Sequence, residues 1–582
     1  MKEKLRIRER FFGSRLMVIA WTLLVTGLIG LGLNYLFLVP ATLESFEMWF
    51  FITLLLLIAT GVSWLFSFIR ERIKDEYFSD TIKDYIVTVI LLAVWILSLL
   101  IWLITGMTGW KMFNAESYSN LISIESCSFE QDIQEVDVNN MITTDVKTAR
   151  KLGDRTLGSV KDSSWYEVDT EYNLISIAGE YYRISPLNYG GLFKYLSAKS
   201  TGIPGYVLVN AKTQEAQYVE LDNAMNYSPS AHFEKNLTRH MRGQYPRYMF
   251  GKSFFEVDDE GNPYWITGVK AKQIGVMGAP IVTSAIITDA ITGESKEYSL
   301  SKLPEWVDHV YSIDDLMEVV DWHYSLANGY FNFSDTGVFK TSYSYRDKES
   351  KKDESEYTPF EGYNSVISRN GQIWFYTGIT PANNAETIIG FILANPKTGE
   401  VRFYSVEGAE ESSAQSSAEG LVQNLKYSAS FPTIINVNGI ETYFMTLKDS
   451  GGLIKKYAFC NVKDYTKVVE ADSIKSALDE YQLLMGIKSL DNIGVVDESI
   501  TSEGRKVKTV EGVITEVKEA EKDGYTHYFF TLEDEDDIIF MSSIENSNLQ
   551  PMKLVIGNSI SIKYRDSEEQ GLEIVTSISF NS

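Results

Sequence analysis

The stretches YVLVNAKTQEAQYVEL (206–221) and FILANPKTGEVRFYSV (391–406) share one pattern: an apolar run, an Asn-x-x-Thr-(Gln or Gly)-Glu turn, and a return to alternation. An apolar run bounded by turn residues predicts a buried strand, and Asn and Gly are the residues that tight turns take. The likeness extends in both directions. Upstream, NLISIAGEYYRISPL (173–187) matches NSVISRNGQIWFYTG (364–378), two strands around a Gly turn. Downstream come helical stretches, SAHFEKNLTRHMR (230–242) and SSAQSSAEGLVQNL (412–425), then the hairpins FFEVDDEGNPYWI (254–266) and IINVNGIETYFMT (434–446). Each copy closes on a further strand and turn, AIITDAITGESKEYSL (285–300) and KYAFCNVKDYTKVVE (456–470). This order predicts a duplicated α+β module, residues 165–300 and 360–486, in which antiparallel strands carry one helix on a sheet face.

Between the copies, 301–359 reads as a helical connector with Ser312 and Asp315 as an N-terminal capping pair, followed by an exposed charged loop at 346–357. A closing helix over 473–485 ends at Gly486, and 487–506 reads as a linker. Ahead of the first copy, 108–164 is a juxtamembrane segment, because three uncharged runs precede it: 16–38, 49–69 and 85–107. Each is long enough to cross a hydrocarbon core of about 30 Å. The basic residues of the 1–15 tail and of the 70–83 loop, against none in 39–48, predict a cytoplasmic N-terminus and an extracytoplasmic region after residue 107. The runs contain no ionisable residue, which favours an anchor over a transport path. Gly27, Gly30 and Gly32 permit close helix packing there.

The chain carries 53 Lys and Arg against 78 Asp and Glu, a net charge of -25, and the acidity lies outside the membrane runs. Such a surface repels phosphate backbones and anionic lipid headgroups, so general nucleic-acid binding and a polybasic membrane switch are both poor readings. Two cysteines in 582 residues rule out a disulfide scaffold or a Cys-based zinc site. Both thiols, Cys127 and Cys460, fall on the extracytoplasmic side, where a bridge between them is chemically permitted.

The helix, hairpin and strand ending in Asp289-Ala290-x-Thr292-Gly293-Glu294 resemble the PepSY-type modules of bacterial envelope proteins. With the three spans and LGDR (152–155), GIPGY (202–206) and DDEGNPYW (258–265), residues 1–485 resemble an uncharacterised family of multi-span membrane proteins from Gram-positive bacteria. That resemblance implies association with envelope proteins, and PepSY modules are linked to inhibition of secreted proteases, but it carries over no activity. The first copy departs from the pattern with Gln214 in the turn-glycine position, and the last turn, CNVKDYT (460–466), lacks the glycine altogether. Residues 507–582 hold five strand candidates and resemble a small OB-type barrel. With 6 Lys and Arg against 15 Asp and Glu in 507–580, nucleic acid is disfavoured there and protein or glycan contact stays open.

No residue pattern identifies a catalytic, cofactor or metal site. His232 and His240, with Glu234, fall on the predicted helix of the first module, too few ligands for a metal. His309 and His323 flank the connector helix beside Trp306 and Trp322, where packing is the expected role. The acidic runs 533–537 and Asp258, Asp259 and Glu260 read as solvated turns, since neither has the alternate spacing of a calcium loop. The expectation is a membrane-anchored, non-catalytic scaffold or interaction protein. Its rivals are an envelope-protease regulator, a cell-shape or division factor, and a wall-polymer hydrolase.

Overall fold

Three helices, α1 (Arg15–Phe37), α2 (Phe46–Lys74) and α3 (Ile86–Thr108), are long and apolar enough to cross a membrane. In the computed structural model α1 starts where the Ser14 hydroxyl accepts the Met17 N–H, and it packs on α2 where Gly30 leaves room for Leu55. A hydroxyl bridge from Ser63 to Thr88 (3.0 Å) ties α2 to α3. The structure describes residues 14–74, 85–138, 141–159, 163–332, 337–344, 362–368, 370–382, 387–487, 507–522, 525–533, 538–543, 554–566 and 572–580. The charged loop 346–357, the linker from 488 and the acidic residues 534–537 lie outside them.

After α3 the repeat is finer than the duplication expected. One unit, a capped helix followed by a four-stranded antiparallel meander, recurs four times. Unit I is α4 (Val146–Thr156) with strands Asn173–Ile177, Glu180–Tyr189, Ile203–Asn210 and Ala216–Met225. Unit II is α5 (Leu237–Gln244) with Met249–Val257, Pro263–Ile274, Gly278–Asp289 and Ser295–Ser299. Unit III is α6 (Ile313–Leu326) with Asn364–Ile367, Ile373–Pro381, Gly390–Ala394 and Val401–Tyr404. Unit IV is α7 (Glu411–Leu421) with Thr433–Val437, Ile440–Lys448, Ile454–Asn461 and Val468–Ala471, closed by α8 (Ile474–Leu484).

The same turn joins the third and fourth strands in all four units. Asn210, Asp289, Asn395 and Asn461 each accept, through a side-chain oxygen, the backbone N–H groups two and three residues on. The residue after each of them then accepts a backbone N–H from the segment that leads into a unit helix. Ala211 takes Thr143 and Thr144, Ala290 takes Asn226 and Tyr227, Pro396 takes Val310 and Tyr311, and Val462 takes Ala409. Each helix is therefore fixed to a turn by the backbone, whatever side chains intervene. The duplication visible in sequence is a pair of such pairs.

Burial explains why the middle strands read as unbroken apolar runs. Units I and II share one core through Val207, Val209, Phe255 and Trp265, and II and III share another through Phe254, Ile266, Phe375 and Ile379. Units III and IV meet through Trp374, Tyr376, Tyr443 and Met445. Neighbouring residues of one strand thus face different cores, and Ile373–Pro381 is buried along all but its last residue. The 108–164 segment is woven into these units. Ile124–Cys127 adds a parallel strand beside Val401–Tyr404, and α4 belongs to unit I. The capping pair expected at Ser312 and Asp315 forms in both directions.

The turn glycines are constrained twice over. Gly399 has φ +78°, and a Cβ there would lie 2.8 Å from the Tyr311 ring. Gly399→Val is expected to destabilise the fold by about 2 kcal/mol or more, from left-handed strain plus overpacking. Gly179, with φ +86° but no atom near its Cβ position, should lose only the strain on the same change. Equal melting shifts for the two variants would refute the packing contribution.

The second compact unit is 486–582. Its strands Val507–Lys522, Tyr525–Leu532, Ile539–Ser543, Ser559–Asp566 and Leu572–Phe580 close into a barrel in the order first, second, third, fifth, fourth. The third and fifth strands run parallel and the other pairs antiparallel. Phe530, Leu532, Phe540, Ile560 and Val575 fill its interior.

Candidate functional site

The histidines predicted from sequence do not converge. Asn236 caps α5, so the helix starts at Leu237 and only His240 lies on it. His232 is extended and precedes a single 3-10 turn, which corrects the expectation of two histidines on one helix. The His240 Nε2 donates to the Gly293 carbonyl (2.7 Å), tying α5 to a turn of its own unit. His323 donates from Nδ1 to the Ser119 carbonyl (2.7 Å), beside the Trp322 ring that Tyr118 meets edge-on at 4.9 Å. Asp258 spends its oxygens on Glu260 N, Asn262 N and the Asn262 amide, and Asp259 accepts Ala178 N at 2.9 Å. Cys127 and Cys460 are both free thiols, so the bridge that the sequence permits is not made. Burial raises both, to about 11 and about 12. Among the described residues no group of three or more His, Cys, Asp or Glu is placed to hold a metal ion.

His309 packs against phenylalanine rings. It is fully buried between the Phe254 and Phe375 rings, with Nδ1 2.9 Å from Glu256 Oε1. Glu256, also buried, accepts the backbone N–H groups of Asp308 and His309 (2.9 and 2.8 Å), and Asp308 accepts Ser176 N (2.7 Å). The cluster joins units I, II and III. Burial pushes Glu256 up to about 8 and His309 down to about 4, so the pair is electrically neutral near pH 7.

A different place has the character of a ligand site. Between units III and IV, a cavity of about 420 Å³ is floored by Trp374, Tyr376, Phe391 and Tyr404 and rimmed by Asp132, Glu135, Asp137 and Arg402. The acidic rim comes from a strap that reaches across from before unit I. Glu135 bridges Asn436, Val136 N donates to Asn436 O (2.9 Å), and the Asn436 amide donates to Ile133 O (3.0 Å). Arg402 lies over the Trp374 ring at 4.8 Å while pairing with Glu400 at 2.7 Å, and the Tyr404 hydroxyl faces Asp132 at 3.4 Å. Trp374 is 2% exposed, yet its indole N–H has no hydrogen-bond partner among the described residues; the buried Ser368 hydroxyl on the same wall has none either. A buried N–H left alone costs about 1–3 kcal/mol, which is why nearly all are paired. Two such atoms on one cavity wall therefore mark a surface shaped to donate hydrogen bonds to a group from outside the chain. The arrangement suits recognition of a polar, carbonyl- or hydroxyl-bearing group over an aromatic floor. No protein-family model matches this chain, and no curated protein is similar to it.

Nothing local in sequence identifies this cavity. Its rim (131–137) and floor (374–404) are far apart in sequence and meet through tertiary contacts such as that of the Tyr404 hydroxyl with Asp132.

Proposed function

We propose that the chain is a membrane-anchored, extracytoplasmic scaffold or interaction protein of a bacterial cell envelope, without catalytic activity. In this reading units III and IV present the aromatic cavity to a partner protein or glycan. The observation that carries it is the buried Trp374 N–H, unpaired at a cavity with an acidic rim. The basic residues flanking α1 and α2 support a cytoplasmic N-terminus. The unit of helix, hairpin and Asp-Ala-x-Thr-Gly-Glu turn supports kinship with PepSY-type modules of a Gram-positive membrane family, and the barrel's strand order supports the OB-type reading. Protease regulation and a part in cell division fit the same scaffold. Wall-polymer hydrolysis fits less well, because Asp132, Glu135 and Asp137 are all exposed, whereas a catalytic acid needs burial to keep its proton at neutral pH.

A photo-crosslinking residue at Gln372, on the cavity rim, tests this in intact cells. One discrete adduct is expected, reduced about tenfold by Trp374→Phe, which keeps the ring and removes the N–H, consistent with about 1.4 kcal/mol for the lost bond. Adducts that ignore Trp374→Phe would reject the cavity as the binding site. Labelling of a cysteine at Ser79 from outside the cell would reject the topology.

A further inference from the structure

Where unit II rests on the membrane helices, a second cavity of about 930 Å³ opens between α1 and α2. Its size is at the top of the roughly 300–1,000 Å³ of ordinary small-molecule sites. Its walls are apolar, with Leu23, Leu31, Phe51 and Leu55 among them. From Thr22 to Leu38, both on its lining, α1 rises about 24 Å, against about 15 Å for one leaflet of a 30 Å core. A cleft of that depth at hydrocarbon level suits a tail, not a water-soluble molecule.

The mouth of the cleft is basic. Arg239 lies 3.8 Å over the Tyr35 ring and donates one N–H to the Tyr35 carbonyl (2.6 Å). That leaves most of its five donors, including a buried Nε without a partner among the described residues. Arg242 donates to the carbonyls of Leu38, Tyr245, Pro246 and Tyr248, all neutral acceptors. Among the described residues neither arginine is in an ion pair. The acids nearby are Glu234, exposed on the lining, and Glu47, which acts on Arg242 at longer range and accepts the Ser45 hydroxyl at 2.6 Å. Burial draws Arg242 down to about 10, which leaves it charged at neutral pH. Two cations in no ion pair among the described residues, at the boundary of an apolar cleft in a protein of net charge -25, leave room for an anion.

Helix α1 also presents polar side chains to the cleft. In α2 and α3, Thr53, Thr60 and Thr105 bond back to the carbonyl four residues earlier, at 2.8 to 2.9 Å. Thr22 and Thr26, one turn apart on the cleft wall of α1, make no such bond, and both hydroxyls are buried without a partner among the described residues. Asn34, about 6 Å below Leu38 at helical rise, lines the cleft at the level of an acyl ester beneath a headgroup. Asn34 is thus the polar group on this face that a lipid ester can reach, while Thr22 and Thr26, about 24 and 18 Å below Leu38, lie alongside the tail.

We propose that the cleft binds one lipid with an anionic phosphate headgroup, held by Arg239 and Arg242, its hydrocarbon lying between α1 and α2. Guanidinium forks match phosphate oxygens in pairs, which separates this site from general contact with surrounding lipid. Bound there, the lipid bridges the anchor and unit II and sets how the repeat units stand on the membrane.

The test uses the full chain, delipidated in detergent and offered phosphatidylglycerol or phosphatidylcholine, with retained lipid read by native mass spectrometry. One phosphatidylglycerol per chain is expected, retained at least about tenfold better than phosphatidylcholine. Arg239→Gln with Arg242→Gln should abolish the preference. Since both arginines also hold backbone carbonyls, Gly27→Phe supplies a variant that spares them: its Cβ position has no atom within 4 Å and it lines the cleft, so the ring should fill the space and expel the lipid. Equal retention of the two lipids, or full retention by folded Gly27→Phe, would overturn the proposal. So would competition by glycerol 3-phosphate as effective as the lipid's, which would make this a soluble-phosphate site.

Discussion

Asp145→Asn should cost the 1–485 unit about 3–5 kcal/mol although asparagine caps helices as well as aspartate does. Asp145 stands at the start of α4, where its Oδ1 accepts Thr148 N (2.9 Å), and its Oδ2 pairs with the ammonium of Lys448 from unit IV. Lys448 is 1% exposed. With the carboxylate gone, a buried ammonium has no counter-charge, and that uncompensated charge is the source of the loss. Burial pushes the Asp145 carboxyl up, but Lys448 and the Thr148 bonds outweigh it and hold it below the usual range. The contribution is therefore present above the ordinary carboxyl pKa and fades as pH falls through the depressed one. Adding Lys448→Met to Asp145→Asn should recover most of the stability, because a neutral apolar pair needs no solvation. Denaturant melting of the single and double variants in detergent decides it. A single variant within about 1 kcal/mol of the parent, or no recovery in the double, would show that the pair is not what joins units I and IV.

The pair has a counterpart that exposes the symmetry of the array. Lys270 of unit II meets Asp315 in the first turn of α6, as Lys448 meets Asp145 at the start of α4. In register, Lys270 stands six residues after Tyr264, which pairs with Asp289, and Lys448 six after Thr442, which pairs with Asn461. Units II and IV thus hand on to III and I by the same contact.

Much of this was legible in sequence, and what was not has physical reasons. The membrane helices were plain because hydrocarbon demands long uncharged runs. The strands and turns of units I and III were plain because Asn-x-x-Thr-(Gln or Gly)-Glu encodes its own backbone bonds. The fourfold repeat was hidden at Asn461, where the turn forms without its glycine, and at α4, whose helix lies in a segment of 108–164 with little apolar patterning. His232 was misplaced because Asn236 competes as a cap and starts the helix late. The Trp374 cavity and the cluster at Glu256 depend on segments brought together across units, and no local pattern records such meetings. The acidic stretch 534–537 stays outside the described residues.

Replacing Glu256 by Leu should cost about 3 kcal/mol or more at every pH, while Glu256→Gln should cost little at pH 6 and overtake the parent as pH rises past 8. Leucine strands three polar groups, the N–H groups of Asp308 and His309 and the His309 Nδ1, in a closed core, each worth about 1–3 kcal/mol when left unpaired. Glutamine keeps an acceptor and cannot ionise. The pH dependence follows from the folded values: Glu256 near 8, Asp308 near 7 and His309 near 4, burial being the first cause for all three. Against unfolded values of about 4.3, 3.9 and 6.5, the two carboxyls hold protons in the folded state that the unfolded chain has released, so their contribution falls as pH rises. His309 acts oppositely, adding stability from about pH 4 to 6.5, after which it is neutral in both states. Above pH 6.5 only the carboxyls remain. The parent should therefore lose about 2 kcal/mol between pH 6.5 and 8 through Glu256 alone, at about 1.4 kcal/mol per unit, with Asp308 adding to the fall below pH 7. Lys397 also acts on this cluster, lowering Glu256 and Asp308, as do Arg183 and Lys252, which lower His309. Melting curves from pH 6 to 8.5 read the effect directly. A parent whose stability is flat or rising over that range would mean that Glu256 is ionised in the core, and that the three units are held by a buried ion pair with His309 rather than by a neutral one.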